Sequence, residues 1–408
     1  MKPINNISGT LPNTNRAFEI NLKGQNLLIV GGNGAGKTSF LEALFITIRK
    51  NIAQGNILHI SECEKTIKDM QAALENPVFT EDQRGNFLLN LDNHAARLAD
   101  ISDPFKITYH TPKNFISEYK QRTALISIFS ANRKASINSV SYASGSKVDI
   151  NSIKIDENLS TNLEQHLVNL RVRSALSNQL DDSRERAEEI DKWFDSLLKN
   201  FRYLFEDESI NLKFDTDMLR FKIQQEGKSD YTFQSLSSGY LAIFDIYADL
   251  LVRTQYLEVT PEKLSGVVLI DEIDVHLHVS LQRKIFPFLS SSFPNIQFIA
   301  TTHSPFVVTS IDNALIYDLS TGNESSDMSM FSIDAVVEGL LGVPPVSKQL
   351  EETIKKLASI TATKKFKLSE AESILLKIEP HVEHLDAESR MYYELAVNKV
   401  IKRKSEGV

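Results

Sequence analysis

The sequence predicts an α/β fold, and three junctions between an apolar run and a polar cluster carry that expectation. The first is GGNGAGKTSF, residues 31–40, which follows the apolar run Leu27–Leu28–Ile29–Val30. The second is Asp271–Glu272, directly after Gly266–Val267–Val268–Leu269–Ile270. The third is Thr301–Thr302–His303–Ser304, directly after Gln297–Phe298–Ile299–Ala300. Each apolar run has the length of a buried strand, and open α/β sheets collect ligands where their strands end.

Taken in order, residues 1–50 read as strand, turn, strand, glycine-rich loop and helix. Phe18–Glu19–Ile20–Asn21–Leu22 alternates like a half-buried strand, and residues 27–30 form the next one. Leu41–Glu42–Ala43–Leu44–Phe45, behind the glycines, has apolar residues at helical spacing. GxxxxGK[ST] between a strand and a helix is the context of a phosphate-binding loop. Gly31 and Gly36 are its fixed glycines, and Gly32 and Gly34 add backbone freedom. Such a loop brings N–H groups close to phosphate oxygens, and the helix N-terminus adds partial positive charge. Lys37 stands where it reaches β- and γ-phosphates, and Thr38 where it holds Mg²⁺. We therefore assign Gly31, Gly32, Asn33, Gly34, Ala35, Gly36, Lys37, Thr38 and Ser39 to nucleotide binding, with ATP and Mg²⁺ as the expected ligands. Arg16 and Phe18 flank the first strand, where edge packing and contact with a base both stay open.

Residues 51–103 read as helical and polar, with Ile67, Met70, Ala73 and Leu74 on one face, Pro77 as a stop, and Leu88, Leu89, Leu91, Ala95 and Leu98 in a second stretch. Asp92–Asn93–His94 lacks the companion His of a nuclease motif. After Pro104, Phe105–His110 alternates like a strand, and Leu125–Phe129 is another β-like run. Arg133 follows that run; a phosphate sensor, an interface contact and a solvated surface residue are the open readings. Residues 136–159 read as a polar loop or weak hairpin. Residues 160–206 read as a helical hairpin, with Leu163, Leu167 and Leu170 before a break at Asp181–Asp182–Ser183 and Ile190, Phe194, Leu197, Phe201 and Leu204 after it. Two strands are expected at Ile210–Phe214 and Leu219–Ile223. Leu236–Ser237–Ser238–Gly239–Tyr240 then opens a helix, which makes a second anion site. Residues 324–408 read as a helical tail with an early break at Pro344–Pro345, apolar faces around Leu357, Leu375 and Val400, and basic clusters at Lys364, Lys365, Lys367 and at Lys402, Arg403, Lys404.

Composition sets the outer bounds. The chain has 408 residues, 42% of them hydrophobic and 24% charged, which suits a large globular core. No apolar run approaches the ~20 residues of a membrane span. One cysteine, Cys63, excludes an intramolecular disulfide and makes the cytoplasm the expected compartment. The net charge of −8 excludes a globally basic nucleic-acid binder while leaving a local basic face open. His276 and His278 are spaced like a metal pair without a third ligand, and His381, Glu383, His384 and Asp386 fit a polar helix start.

Phosphate loop, LSSGY, VVLIDE and TTHS in this order resemble the ABC-type ATPase heads of the SMC and OLD-like group. The resemblance covers residues 17–48 and 232–318. It implies a P-loop NTPase head with a mixed β-sheet over residues 1–323, helical insertions at 51–103 and 160–206, and a C-terminal helical region at 324–408. It further implies that Asp271 binds Mg²⁺ with Thr38, that Glu272 orients or deprotonates the attacking water, and that His303 contacts the γ-phosphate. Two heads would sandwich two nucleotides, so Ser237 and Gly239 would reach the γ-phosphate held by the opposing chain. Many family members end the loop after the catalytic Glu in Asp, where this chain has His278. LSSGY, LIDEIDVHLH and FPNIQFIATTHSPF together with the helical tail most resemble the PtuA-type ATPases of Septu defence systems, some attached to retrons. That resemblance implies a homo-oligomer, at least a dimer, that regulates a separate HNH nuclease. The tail carries no DxD motif after His303, so no intrinsic nuclease is expected. A DNA-binding repair or maintenance ATPase of the SMC-like group is the alternative, and a nucleotide-sensing scaffold with little turnover is a third reading.

Overall fold

The structure is a computed structural model that describes residues 2–405 apart from 13, 15, 75–80, 102–104, 134–135, 145–156, 180–183, 258, 341, 343–345 and 363–366. The expected breaks at Pro77, Pro104, Asp181–Asp182–Ser183 and Pro344–Pro345, half of the 136–159 loop, and the lysines 364 and 365 lie outside the described residues. The chain forms two compact units, residues 1–336 and 337–408.

The first unit begins with a strand that its polar composition conceals. β1 (Ile4–Thr10) pairs antiparallel with β2 (Ala17–Asn21), setting Ile7 opposite Ile20. After β3 (Asn26–Val30), β4 (Phe105–Tyr109) pairs with the other edge of β1, setting Ile107 opposite Ile7. The strand is visible only through these partners, because Asn5, Asn6 and Ser8 break any local apolar pattern.

A second, six-stranded sheet carries the three predicted junctions. β5 (Ala124–Phe129) is separated from the rest in sequence by a small antiparallel hairpin, β6 (Asn211–Asp215) and β7 (Arg220–Gln224). β8 (Ser265–Ile270), β9 (Ile296–Thr301), β10 (Ala314–Asp318) and β11 (Glu324–Ser326) follow, and the sheet order is β11-β10-β3-β9-β8-β5. All neighbours run parallel except β11, which pairs antiparallel with β10. The sheet is therefore mixed, as expected. The strand at Glu324–Ser326 belongs to this sheet and to the first unit, beyond the head boundary expected at 323. The chain leaves β3 for the far edge, works inward through β8 and β9, then jumps to β10 on the other side. β3 is the point of reversal, where a crevice forms at the strands' carboxyl ends.

Packing explains why the crevice is fixed. α1 (Lys37–Ile52) buries Phe40, Leu41, Leu44 and Ile48 in a core shared with both sheets. The Phe40 ring lies 5.2 Å from Phe18 and 5.1 Å from Phe105. Each such side chain contributes about 1.5–3 kcal/mol by leaving water. All five residues of β3 are buried, so the loop it feeds springs from a fully packed central strand.

The first insertion is an antiparallel helical hairpin, α2 (Asn56–Leu74) and α3 (Glu81–Ile101). Its less exposed positions include Ile60, Cys63, Ile67, Met70 and Leu74 on one helix and Phe87, Leu91, His94 and Leu98 on the other. Alternating steps of three and four make a short heptad seam. α4 (Pro112–Lys120) packs beside β5. The second insertion is α5 (Leu163–Gln179) and α6 (Arg184–Phe205), followed by β6 and β7 and then by α7 (Ser238–Tyr256). The ring of Phe205, at the end of α6, stacks on Tyr240 at 4.1 Å and 8°. This contact braces the start of α7. α8 (Val279–Ser292) and the single turn α9 (Pro305–Val308) follow β8 and β9, and α10 (Ile333–Gly339) spans the division between the units.

The second unit consists mainly of α11 (Lys348–Ala362), α12 (Leu368–Ile378) and α13 (Ala387–Ser405) around Leu357, Ala371 and Ala396. Among the described residues, no helix of the chain is long and apolar enough to cross a membrane.

Candidate functional site

The three predicted junctions meet at the carboxyl ends of adjacent strands. β3 ends in residues 31–36, β8 ends in Asp271–Glu272, and β9 runs into Thr302–His303. In the loop after β3, Gly31, Gly34 and Gly36 have φ of +141°, +80° and +87°. Gly31 is required on two grounds: a Cβ there would lie 2.9 Å from Ser320 Oγ and 3.3 Å from Asp318 Oδ1. Gly34 and Gly36 face open space, so conformation alone demands glycine there.

Lys37 is buried and folds over the loop, donating to the carbonyls of Gly31 at 2.8 Å and Gly32 at 3.2 Å. Burial pushes its pKa down, while the carboxylates of Glu272, Asp271, Asp274 and Asp318 oppose that fall. Thr38 Oγ1 donates to Asp271 Oδ2 at 2.8 Å, across 233 residues of sequence. A hydroxyl and a carboxylate held face to face are hard oxygen donors, the set that Mg²⁺ selects. The loop and this pair together can seat a phosphate beside a divalent cation.

The backbone around Glu272 is held from several sides. Thr301 Oγ1 donates to Asp271 Oδ1 at 2.6 Å and accepts the Glu272 N–H at 2.7 Å. Thr302 Oγ1 donates to Asp274 Oδ1 at 2.5 Å. Both threonines are fully buried. Glu272 itself has φ +46°, in the left-handed region that a side-chain-bearing residue rarely adopts. His303 is half-buried beside these groups. Burial and the Lys37 ammonium push its pKa below the ordinary value, against the pull of Asp274, Glu272 and Asp271. A neutral imidazole results near neutral pH. Ser304 caps α9 by accepting from Phe306 and Val307, and donates to Gln282 Oε1 at 2.6 Å.

LSSGY stands at the start of α7. Ser237 and Ser238 are exposed and Gly239 is buried. A Cβ on Gly239 would come within 3.1 Å of the His276 carbonyl, so this glycine lets the helix close onto the loop after Glu272. His278 ends that loop as the N-cap of α8, its Nδ1 accepting from the Ser280 N–H at 3.4 Å. Imidazole thus fills the capping place that Asp commonly takes. Among the described residues, no group of three or more His, Cys, Asp or Glu is placed to hold a metal ion.

Several contributors were not singled out in the sequence. Asp318 accepts from Ser320 N–H and Thr321 Oγ1, both at 2.7 Å, and Ser320 Oγ accepts the Gly32 N–H at 3.0 Å. The turn after β10 therefore supports the glycine loop. Arg16 donates to the Ser320 carbonyl at 2.5 Å, which joins the first strand pair to that turn, while Phe18 is core. A polar cluster after one more apolar strand, Ala314–Asp318, was the available signal.

Comparison with known proteins fixes the family. The family described as "AAA domain, putative AbiEii toxin, Type IV TA system" matches residues 27–309, most of the chain. The chain belongs to this family of AAA domains. Similar curated proteins include the "Retron Vc95 probable ATPase" of Vibrio cholerae serotype O1 biovar El Tor, 31% identical over 54% of this chain and 41% of that protein. The "Septu protein PtuA" of Bacillus mycoides (strain KBAB4) is 28% identical over 68% of this chain and 34% of that protein. The "Retron Ec83 probable ATPase" of Escherichia coli is 47% identical over 22% of this chain and 17% of that protein. The chain thus spans less than half the length of each of these relatives, and they are the kind of protein that its motifs resemble. Among solved structures, the SMC head domain from Thermotoga maritima is 12% identical, covers 78% of this chain and 94% of its own, and has a TM-score of 0.35. The fold reading rests on the strand order and the family match.

Proposed function

We propose that the chain is the ATP-binding and ATP-hydrolysing subunit of a bacterial anti-phage defence complex, which dimerises head to head around ATP and regulates a separate HNH nuclease. The observation that carries the hydrolytic part is the Thr38–Asp271 contact at 2.8 Å, beside a Lys37 ammonium that feels the charges of both Asp271 and Glu272. The names of the retron and Septu relatives support the defence setting.

In this reading the loop N–H groups and Lys37 bind the β- and γ-phosphates. Thr38 and Asp271 would hold Mg²⁺, which supplies charge neutralisation at the phosphates when bound. Glu272 accepts the proton of the attacking water or orients that water. His303, neutral, donates to a γ-phosphate oxygen. Ser237 and Gly239 complete the site of the opposing chain. The exposure of Ser237, immediately before α7, supports such a role.

Glu272→Gln tests the proposal. Turnover should fall by ~10²–10⁴-fold while ATP affinity stays within a few-fold, because a general base acts in the chemical step. Unchanged turnover would remove Glu272 from the mechanism. The partner is tested by asking whether a neighbouring gene encodes an HNH protein and whether that protein co-purifies with the chain, and by incubating the chain alone with plasmid DNA and Mg²⁺. Cleavage that survives Lys37→Ala would reveal an intrinsic nuclease. DNA-stimulated turnover of the chain alone would favour the repair ATPase.

A further inference from the structure

The geometry points to Arg133 as a positioning residue that fixes the Glu272 backbone for hydrolysis, an assignment that rests on the reading of Glu272 given above. β5 and β8 run parallel in register, Phe129 opposite Ile270. The chain leaving β5 therefore passes directly beside Asp271, whose N–H donates to the Phe129 carbonyl at 2.8 Å. Four residues past Phe129, the Arg133 guanidinium turns back onto the end of β8. Its Nη1 donates to the Asp271 carbonyl at 2.9 Å and its Nη2 to the Glu272 carbonyl at 2.8 Å. One planar fork thus grips two consecutive carbonyls.

Those carbonyls flank a backbone that would not hold its shape unaided. Glu272 is in the left-handed region, and a side chain there persists only when its surroundings over-determine it. Thr301 holds the Glu272 N–H from one side, the Ile273 N–H donates to the Thr301 carbonyl at 3.0 Å, and Arg133 supplies the restraint on the carbonyl side. The direction in which the Glu272 Cα–Cβ bond leaves the backbone follows from those torsions, so the fork helps set the starting point of its side chain. A guanidinium suits the task because its donors are pre-organised in a plane, whereas an ammonium is a point donor on a flexible stem.

The position is also an electrostatic hub. Burial pushes the pKa of Arg133 below its ordinary value, and the carboxylates of Asp245, Asp271, Asp274 and Glu272 oppose that fall. Asp245 lies on α7, the helix that LSSGY opens, and accepts from Ser160 Oγ and Asn158 Nδ2. Arg133 Nη1 also donates to the Ser130 carbonyl at 3.3 Å, and among the described residues its buried Nε has no hydrogen-bond partner.

The test compares four chains at full length: wild type, Arg133→Met, Arg133→Lys and Glu272→Gln, with the Arg133→Met/Glu272→Gln double variant. A misplaced catalytic group costs up to ~10²-fold in rate. Arg133→Met should lower kcat by about 10–10²-fold with the KM for ATP, and the affinity for a fluorescent ATP analogue, within about threefold. Arg133→Lys, which keeps the charge and loses the fork, should still lose turnover. In the Glu272→Gln background, Arg133→Met should add no further loss, since the group it positions is gone. Full turnover in Arg133→Lys, additive losses in the double variant, or a fall in nucleotide affinity as large as the fall in kcat would each overturn the assignment. If Arg133→Met does not fold, as judged by circular dichroism and melting, the Arg133→Lys result decides alone. Unchanged turnover in Glu272→Gln would overturn the reading of Glu272 and this assignment with it. A normal loss in Glu272→Gln beside unchanged Arg133 variants would overturn this assignment only.

Discussion

Thr301→Val removes one hydroxyl and keeps the branched shape of the side chain. That hydroxyl donates to Asp271 Oδ1 at 2.6 Å and accepts the Glu272 N–H at 2.7 Å, in a fully buried place. A hydrogen bond to a charged group contributes about 1.5–3 kcal/mol, and a buried N–H left without a partner costs about 1–3 kcal/mol. The variant should therefore lose about 3–5 kcal/mol, a large share of the ~5–15 kcal/mol that holds a typical domain folded. Because the same N–H restrains the left-handed Glu272, turnover should fall by ~10²-fold as well. Urea unfolding followed through the single tryptophan, Trp193, gives the first quantity, and phosphate release from ATP gives the second. Thr254→Val is the control. Thr254 is buried and donates to the Leu251 carbonyl at 2.7 Å, remote from the strand ends that form the site. It should cost about 1 kcal/mol and leave turnover unchanged. A Thr301→Val chain within about 1 kcal/mol of wild type, with turnover within twofold, would refute the claim that this hydroxyl holds the two carboxylate residues in place.

Two further outcomes are expected. If the proposed head-to-head dimer forms, Lys37→Ala chains mixed with Ser237→Arg chains should recover part of the ATPase activity that each lacks alone, since a mixed dimer would keep one intact composite site; no recovery at any ratio would count against completion of the site in trans. The second concerns acid. His166 is buried edge-on to Trp193, and burial lowers its pKa to about 3 from an ordinary 6.5. The unfolded chain therefore binds a proton that the folded chain refuses. The stability His166 allows is fully present above about pH 6.5 and declines as pH falls from there toward 3. At pH 4.5 the loss reaches about 3 kcal/mol, and His166→Phe should flatten that part of the stability–pH curve.

Much of the site was legible locally. A glycine loop between a strand and a helix declares itself, because the torsions of Gly34 and Gly36 and the reach of Lys37 are properties of one contiguous segment. The junctions at Asp271 and His303 were visible for the same reason: a run of buried residues that stops at a polar cluster marks the end of a central strand. The helical insertions showed through their periodicity. The role of His278 was half visible, as a departure from a pattern whose purpose, capping α8, needed coordinates.

The remainder depends on partners far away in sequence. β1 is a strand only because Ile20 and Ile107 stand opposite Ile7, and no local pattern encodes a partner 100 residues on. Ser320 supports Gly32 across 288 residues, and the Cβ clash that makes Gly31 obligatory comes from Ser320 and Asp318. The sequence by itself determined the chemistry present: an anion-binding loop, two carboxylates, an imidazole, and the strands that end in them. Only the tertiary structure decided how these groups are held, with Thr38 on Asp271, Thr301 bridging Asp271 and Glu272, and Arg133 gripping the carbonyls behind them. The reason is physical. A motif fixes backbone torsions within a few residues, whereas a hydrogen bond between strand ends depends on which strands lie side by side.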